Sequence, residues 1–181
     1  PVFPFNFELS SSNLGKGAWF ASIGETEALA IRSLAGEVRQ IYFDVQGSQF
    51  FEKLEAVKGD KTPVTVADYL VQMKVAIFLS QNYPEDGLVG EEEVNLETAR
   101  ELLRGDQTLL EKYSHLIDDY SRIQEWIQQR KEKAGSFDRY WLLDPLDGTK
   151  EFLNYRPGSA DPAQGAGFAF HLARIVRDPQ D

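Results

Sequence analysis

Residues 144–149 read Asp-Pro-Leu-Asp-Gly-Thr, and they follow the apolar run Tyr-Trp-Leu-Leu at 140–143. An apolar run of this kind, bounded by turn residues, predicts a buried strand. Proline fixes its own φ at about −65°, so Pro145 makes a stiff turn of the segment between Asp144 and Asp147. Carboxylate oxygens are ligands that Mg²⁺ takes together with water and phosphate oxygens. The hexapeptide therefore predicts a Mg²⁺ site at the end of a rigid strand.

The last two residues of the hexapeptide suit an anion. Gly148 allows a ligand to approach the backbone closely, and the amides of Gly148 and Thr149 can form an anion-binding nest. The alternative is an ordinary turn after a strand, because Asp, Pro and Gly are all turn formers. A turn requires neither Asp147 nor Thr149, so the pattern favours a site for a metal ion and an anion.

Composition limits the classes of partner. The chain has 181 residues, of which 42% are hydrophobic, and a net charge of −10. The negative charge argues against nucleic acid as a partner, which requires a basic face. No apolar run approaches the ~18 residues of a membrane span, so we expect no membrane partner. There are no cysteines, hence no disulfides. No signal peptide is recognisable, and we expect a cytoplasmic or organellar protein.

Periodicity along the chain predicts alternating helices and short strands. Residues 1–24 are expected to form an irregular arm. Apolar residues spaced by three and four predict helices from Thr26 to Val45 and from Thr65 to Ser80. Residues 95–133 are mostly helical, with a short helix capped by Asn95 and a longer one through residues 109–127. Short strands are predicted at residues 51–57, 88–90 and 168–176.

Three stretches of the sequence form one ordered set of motifs: Lys61–Asp68 (Lys-Thr-Pro-Val-Thr-Val-Ala-Asp), Val89–Glu93 (Val-Gly-Glu-Glu-Glu) and Trp141–Phe152. Together they resemble the Mg²⁺-dependent, lithium-sensitive phosphatase family, which contains the inositol monophosphatases and the 3'(2'),5'-bisphosphate nucleotidases. The resemblance covers roughly residues 25–176. It implies an α+β fold, the N-terminal half of an α/β/α/β/α sandwich, with paired helices on a mainly antiparallel sheet.

The resemblance also implies which residues form the site. Asp68 and Thr149 would together orient the nucleophilic water, and Glu92 would support its positioning. Phosphate would bind the amides of Gly148 and Thr149, with Lys150 beside them. The implied metal ligands are Glu91, Asp144, Asp147 and the backbone carbonyl of Leu146.

Three of these residues also have simpler interpretations. Asp68 fits the third position of a Thr-x-x-Asp capping box that begins at Thr65, and this role is compatible with catalysis. A run of acidic residues such as 91–93 is usually a solvated face. Most lysines are exposed, and Lys150 can be one of them. We assign no role to His115 or His171, because two isolated histidines show no metal-ligand spacing.

Two features of the sequence are similar to those of the bisphosphate nucleotidases. Lys150 follows Gly-Thr, and a long helical segment separates Glu93 from Trp141. The implied reaction is removal of the 3'(2')-phosphate from nucleotides of the adenosine 3',5'-bisphosphate type. The alternatives are an inositol-phosphate phosphatase, and a non-catalytic fragment that binds metal and phosphate. All three take a small phosphorylated ligand.

The end of the chain departs from the family. Residues 154–164 are unlike it, and no motif of the Trp-Asp-x-Ala-Ala-Gly type, which carries a further metal ligand in the family, precedes Asp181. We therefore expect residues 25–181 to form the N-terminal metal-binding phosphatase domain, with the C-terminal domain absent. The isolated chain is expected to be inactive or nearly so. It is also expected to self-associate through the face that a second domain would cover.

Overall fold

A computed structural model describes residues 25–51, 54–57, 63–133, 137–154 and 168–176. The predicted arm at 1–24, Lys61 and most of the loop at 154–164 lie outside these residues. In chain order, the elements are α1 (Glu25–Gly47), β1 (Glu55–Val57), β2 (Pro63–Thr65), α2 (Val66–Asn82), β3 (Gly87–Gly90), α3 (Leu96–Arg104), α4 (Gln107–Arg122), α5 (Gln124–Glu132), β4 (Arg139–Asp147), α6 (Thr149–Asn154) and β5 (Ala169–Val176).

The strands form two small sheets. β1 and β2 make an antiparallel pair, and the second sheet has the order β3-β4-β5. In that sheet β4 is parallel to β3 and antiparallel to β5. Two of the three pairings among the described strands are therefore antiparallel, and helices and strands are both present, as the α+β prediction requires.

Helix α2 lies at the centre of the core. It is apolar on nearly every side, and a helix of that kind is stable only when neighbours cover it all round. It packs against α1, α4 and β4. The predicted apolar stripe of α1 faces inward, since Ile31, Val38 and Val45 are all buried. None of the helices in the described ranges is long and apolar enough to cross a bilayer.

A buried ion-pair network fixes the position of β5. Asp86, in the turn between α2 and β3, is 2% exposed. Its carboxylate accepts from Arg174 Nε of β5 at 2.9 Å and from Trp141 Nε1 of β4 at 3.0 Å. Arg174 also contacts Glu27 of α1, at 2.7 Å. Because buried charges must be paired, this network holds the two strands in one register.

The long helix predicted through residues 109–127 is in fact two helices. The break falls at Ile123, which ends α4 and begins α5 with φ −104° and ψ 8°. After this break, α5 packs against the turn that follows α2, where Trp126 Nε1 donates to the carbonyl of Pro84 at 3.0 Å. Tertiary contact thus interrupts a helical pattern that is locally continuous.

The prediction of a buried strand at 140–143 followed by a turn is wrong in two respects. Strand β4 continues through Pro145 as far as Asp147. It is also buried on one face only, since Trp141 and Leu143 are buried whereas Leu142 is 40% exposed. Of the described residues in the strand predicted at 51–57, Glu55–Val57 pair with β2, whereas Phe51 and Leu54 lie outside the strand.

Candidate metal and phosphate site

A β-bulge places the two aspartates of the hexapeptide on one face of the sheet. Asp144 pairs with His171 of β5, whereas Asp147 pairs with Ala169, so β4 spans three residues where β5 spans two. Residues three apart on a regular strand point to opposite faces. Ala169 and His171 are two apart on β5 and therefore point to the same face of the sheet. Because paired residues share a face, their partners Asp147 and Asp144 also point to that face, and the extra residue in β4 makes this possible. A bulge, rather than the predicted turn, brings Asp144 and Asp147 to the same side.

Glu91 lies at the same edge. It follows β3, and its backbone N–H donates to the carbonyl of Leu143 at 2.8 Å, next to Asp144. The carboxyl ends of parallel strands meet at one edge of a sheet, where ligands commonly bind. The side chain of Glu91 is exposed, while that of Glu92 is buried. The topology thus puts the predicted metal ligands around one strand end.

The turn after β4 is held by its own hydrogen bonds. Asp144 Oδ1 accepts from the N–H of Leu146 at 3.1 Å, and the carbonyl of Leu146 accepts from Thr149 Oγ1 at 3.1 Å. Gly148 has φ 84°, a conformation that favours glycine over other residues. Its carbonyl accepts from the N–H of Phe152 at 2.9 Å and begins α6. Phe152 is fully buried and anchors this short helix.

Asp68 caps α2 and also lies next to Thr149. It completes the capping box of α2, accepting from the N–H of Thr65 at 2.7 Å through Oδ2. Its other oxygen, Oδ1, lies 3.4 Å from Thr149 Oγ1, which donates to it. Asp68 and Thr149 are therefore adjacent across 81 residues of sequence. A helix cap needs no such partner, and the contact leaves the catalytic prediction open.

The charges around Asp68 favour the binding of a cation. Burial first, and then the carboxylate of Glu92, raise the pKa of Asp68 to about 6, against the hydrogen bonds from Thr65 that lower it. Asp68 and Glu92 are 0% and 4% exposed. Two neighbouring buried carboxylates repel each other, so a positive charge placed beside them would be stabilised.

Tyr42 is a site residue that sequence reasoning missed. Its hydroxyl donates to the carbonyl of Pro145, inside the bulge. Burial, followed by the charges of Asp68 and Asp144, raises the pKa of the phenol well above its usual value, so Tyr42 remains a donor. Its ring packs edge-on against Phe152 at 5.7 Å. The sequence showed only an apolar stripe of α1, because the partner is 103 residues away.

Gln72 and Gly90 form a second contact that was missed. Gln72 follows Asp68 by one helical turn and is 3% exposed. Its amide packs against Gly90, where an added Cβ would lie 2.0 Å from Gln72 Nε2. A side chain at position 90 would have to displace the buried Gln72 amide, which lies against the backbone just before Glu91. The sequence signal for this contact was Gly90 itself, which directly precedes the acidic residues 91–93.

The donor set fits Mg²⁺ by its chemistry. Glu91, Asp144, Asp147 and the carbonyl of Leu146 supply the oxygen ligands that this ion prefers. Within the described ranges, no three His, Asp or Glu side chains are already arranged to hold one ion together. The structure thus gathers the residues at one edge, and their common coordination of an ion stays a prediction. Lys150 is exposed at the start of α6.

A sequence model of the inositol monophosphatase family matches residues 24–160. The chain belongs to this family. Curated relatives include 3'(2'),5'-bisphosphate nucleotidases of Oryza sativa, 36% identical over 110 residues, and of Schizosaccharomyces pombe, 33% identical over 128 residues. These alignments cover 53% and 65% of this chain, and 30% and 33% of the respective relatives. An enzyme of the same name in Candida albicans is 32% identical over 108 residues, which are 53% of this chain and 29% of that protein.

The chain thus spans about a third of the length of the curated relatives it matches. The matched family region includes all of the predicted site residues, from Asp68 to Lys150. The family resemblance stated from the three motifs is confirmed.

Proposed function

We propose that the chain carries the metal-binding part of a Mg²⁺-dependent phosphomonoesterase that removes the 3'(2')-phosphate from nucleotides of the adenosine 3',5'-bisphosphate type. The observation that carries the proposal is the approach of Thr149 Oγ1 to the buried carboxylate of Asp68, at 3.4 Å, beside the bulge that aligns Asp144 and Asp147. The names of the relatives support the choice of substrate class.

In the proposed reaction, Asp68 and Thr149 act on the attacking water. A hydroxyl has one proton to donate and two lone pairs that accept. When Thr149 turns its one proton from the carbonyl of Leu146 to Asp68, its oxygen can accept a hydrogen bond from the water and so orient it. The pKa of Asp68 is about 6, so the group is mostly ionised at neutral pH and can accept a proton. Glu92, buried nearby, would help to position the same water.

The metal would be held by Glu91, Asp144, Asp147 and the carbonyl of Leu146. A bound Mg²⁺ neutralises phosphate oxygens and lowers the pKa of a bound water. The chain itself supplies the amides of Gly148 and Thr149 for the phosphate, and the positive φ of Gly148 leaves that backbone open to approach. Lys150, exposed next to them, would add a positive charge for the second phosphate of the substrate.

Metal binding can be tested on the chain itself by calorimetric titration with Mg²⁺. We expect Asp144→Asn to remove binding, because a carboxylate of the shell is lost. Glu93→Gln is the matched control, since Glu93 is exposed in the same acidic run and has no predicted role. Equal binding by Asp144→Asn and the unmodified chain would exclude Asp144 from the shell.

The substrate class requires a separate assay. Phosphate release from adenosine 3',5'-bisphosphate and from inositol 1-phosphate should be compared with the full product of the reading frame that encodes this chain. The proposal requires faster turnover of the nucleotide. A preference for inositol 1-phosphate would favour the inositol-phosphate phosphatase instead, and turnover of neither would favour a binding fragment.

We further propose that the outer face of the three-stranded sheet mediates self-association of this chain. Val89 and Leu142 are neighbours in register, 39% and 40% exposed, and exposed Ala173 continues the apolar line on β5. Leu142→Lys should abolish concentration-dependent size in sedimentation velocity. Leu29→Lys is the control, because Leu29 is 58% exposed on α1, away from this face. A single concentration-independent monomer for the unmodified chain would contradict the proposal.

A further inference from the structure

Gln72 of α2 is a buried polar residue that the proposed reaction does not use. It lies one helical turn after Asp68, so both side chains project from the same face of α2. Gln72 is 3% exposed, and its Oε1 atom has no hydrogen-bond partner among the described residues. A buried acceptor that is left unpaired costs stability. Hydrogen bonding of Oε1 within the described part of the chain therefore does not explain why glutamine occupies this position.

The carboxamide of Gln72 takes the place that a side chain at Gly90 would occupy. A Cβ atom built on Gly90 would lie 2.0 Å from Nε2 of Gln72, 2.8 Å from Cδ and 2.9 Å from Oε1. All three distances are shorter than the optimal separation of non-bonded heavy atoms, about 3.5–4.0 Å. Helix α2 and the end of β3 are thus fitted together by shape, because a long side chain on one faces a glycine on the other.

The backbone that follows Gly90 carries two acidic residues of the proposed site. It is tied to β4, because the N–H of Glu91 donates to the carbonyl of Leu143 at 2.8 Å. Glu92 comes next and is 4% exposed, and its negative charge acts on Asp68, which is 0% exposed. Two buried carboxylates repel each other. A contact that fixes this backbone against α2 therefore opposes the separation of Glu92 from Asp68.

We propose that Gln72 is a positioning residue of the proposed hydrolysis, because its side chain, packed against Gly90, holds the Glu91–Glu92 segment against α2 and keeps Glu92 beside Asp68. The catalytic consequence rests on the proposed function, in which Asp68 and Glu92 act on the attacking water. The contact is steric, so the length of the side chain matters and its amide group does not. Methionine, which is unbranched and of similar length, should replace Gln72, whereas alanine should not.

A double-mutant cycle on the chain measures the interaction of the two carboxylates without an enzyme assay. Asp68→Asn, Glu92→Gln and the double variant are compared with the unmodified chain by urea unfolding in EDTA. At about pH 8, well above the Asp68 pKa of about 6, the Asp68 carboxyl group is ionised. Either substitution removes the same repulsion, so the double variant should be less stable than the sum of the two single effects predicts. This non-additive part is the coupling between Asp68 and Glu92.

The same cycle is then repeated in the backgrounds Gln72→Ala and Gln72→Met. We expect the coupling to fall toward zero with alanine, because the Glu91–Glu92 segment can move away from α2, and to persist with methionine. Met73→Leu is the matched control, since Met73 is the next residue of α2 and is 0% exposed, and it should keep the coupling. If the alanine variant does not fold, Gln72→Asn, shorter than glutamine by one methylene, should weaken the coupling in the same direction.

A purely structural role for Gln72 would change the stability of each background and leave the coupling as it is. The inference is overturned if the coupling is unchanged in the shortened variants, or if methionine removes it as fully as alanine does.

Steady-state kinetics of the full product of the reading frame give a second readout. Gln72→Ala should lower kcat by up to about a hundredfold with little change in KM, because small misplacements of groups around a reaction have effects of this size. Gln72→Met and Met73→Leu should keep kcat near that of the unmodified protein. An unchanged kcat in Gln72→Ala overturns the positioning role and leaves the proposed function in place. Absence of turnover in the unmodified protein contradicts the proposed function, while the cycle on the chain still decides whether Gln72 holds Glu92 beside Asp68.

Discussion

Replacing Asp68 by asparagine should stabilise the metal-free chain at neutral pH. The carboxyl group is fully buried, and burial raises its pKa from 3.8 to about 6. The folded state therefore binds this proton more tightly than the unfolded state. When the pKa of a carboxyl group is higher in the folded state than in the unfolded state, its contribution to stability is greatest at a pH below the unfolded-state pKa. That contribution is lost as the pH rises through the folded-state pKa. Asparagine resembles the neutral acid and avoids this loss.

The size of the effect follows from the pKa difference. At about 1.36 kcal/mol per pKa unit, the change from 3.8 to about 6 corresponds to about 3 kcal/mol. Asp68→Asn should thus raise the free energy of unfolding by up to about 3 kcal/mol at about pH 7, and by almost nothing at about pH 3.5. The assay is urea unfolding with EDTA present, followed by tryptophan fluorescence, to which Trp141, 2% exposed, contributes. Titrating groups remote from Asp68 are common to both proteins and cancel.

Asp106 provides a control of opposite sign. It caps α4, accepting from the N–H of Thr108 at 2.8 Å, and its hydrogen bond from Ser48 lowers its pKa. Asp106→Asn should therefore destabilise the chain at neutral pH, and the difference should shrink as the pH falls. A loss of stability in Asp68→Asn that is larger at neutral pH than at about pH 3.5, like the loss in Asp106→Asn, would contradict this expectation, because Asp68 would then act as an ionised helix cap.

Three further predictions concern residues around Asp68 and the turn that follows β4. In the full product of the reading frame, Asp68→Asn and Thr149→Ala should each lower kcat with little change in KM. The double variant should lose little more kcat than either single variant, and additive losses in steady-state kinetics would show that the two residues act separately. Tyr42→Phe should lower the free energy of unfolding by about 1–3 kcal/mol, since the buried carbonyl of Pro145 loses its donor, and an unchanged urea midpoint would contradict this. Gly148→Ala should destabilise by about 1–2 kcal/mol because φ is 84°, and should weaken Mg²⁺ binding in calorimetry; wild-type values for both would contradict it.

Features that depend on neighbouring residues could be predicted from the sequence. The short helix α3 begins after Asn95, as the predicted cap indicated. The capping box at Thr65 and Asp68 is present for the same reason. Motif order placed the acidic residues at one site, and the strand pairing brings Glu91 and Asp144 to one edge of the sheet.

Features that depend on distant partners could not be predicted. The bulge between Asp144 and Asp147 exists only in the pairing with β5, and nothing within the hexapeptide specifies that register. The positions of Tyr42 and His171 follow from the same packing, so their sequence patterns showed only a helix stripe and a strand. The break at Ile123 arises from docking of α5, which a helical period cannot reveal.

Phosphate release from adenosine 3',5'-bisphosphate by the full product of the reading frame, measured with Mg²⁺ and again with EDTA, tests the proposed reaction most directly. We expect that Mg²⁺ is required, that adenosine 5'-monophosphate is the nucleotide product, and that Asp144→Asn abolishes the reaction while Glu93→Gln preserves it. Turnover that persists in EDTA, or that Asp144→Asn leaves intact, would contradict a Mg²⁺-dependent reaction at this edge of the sheet.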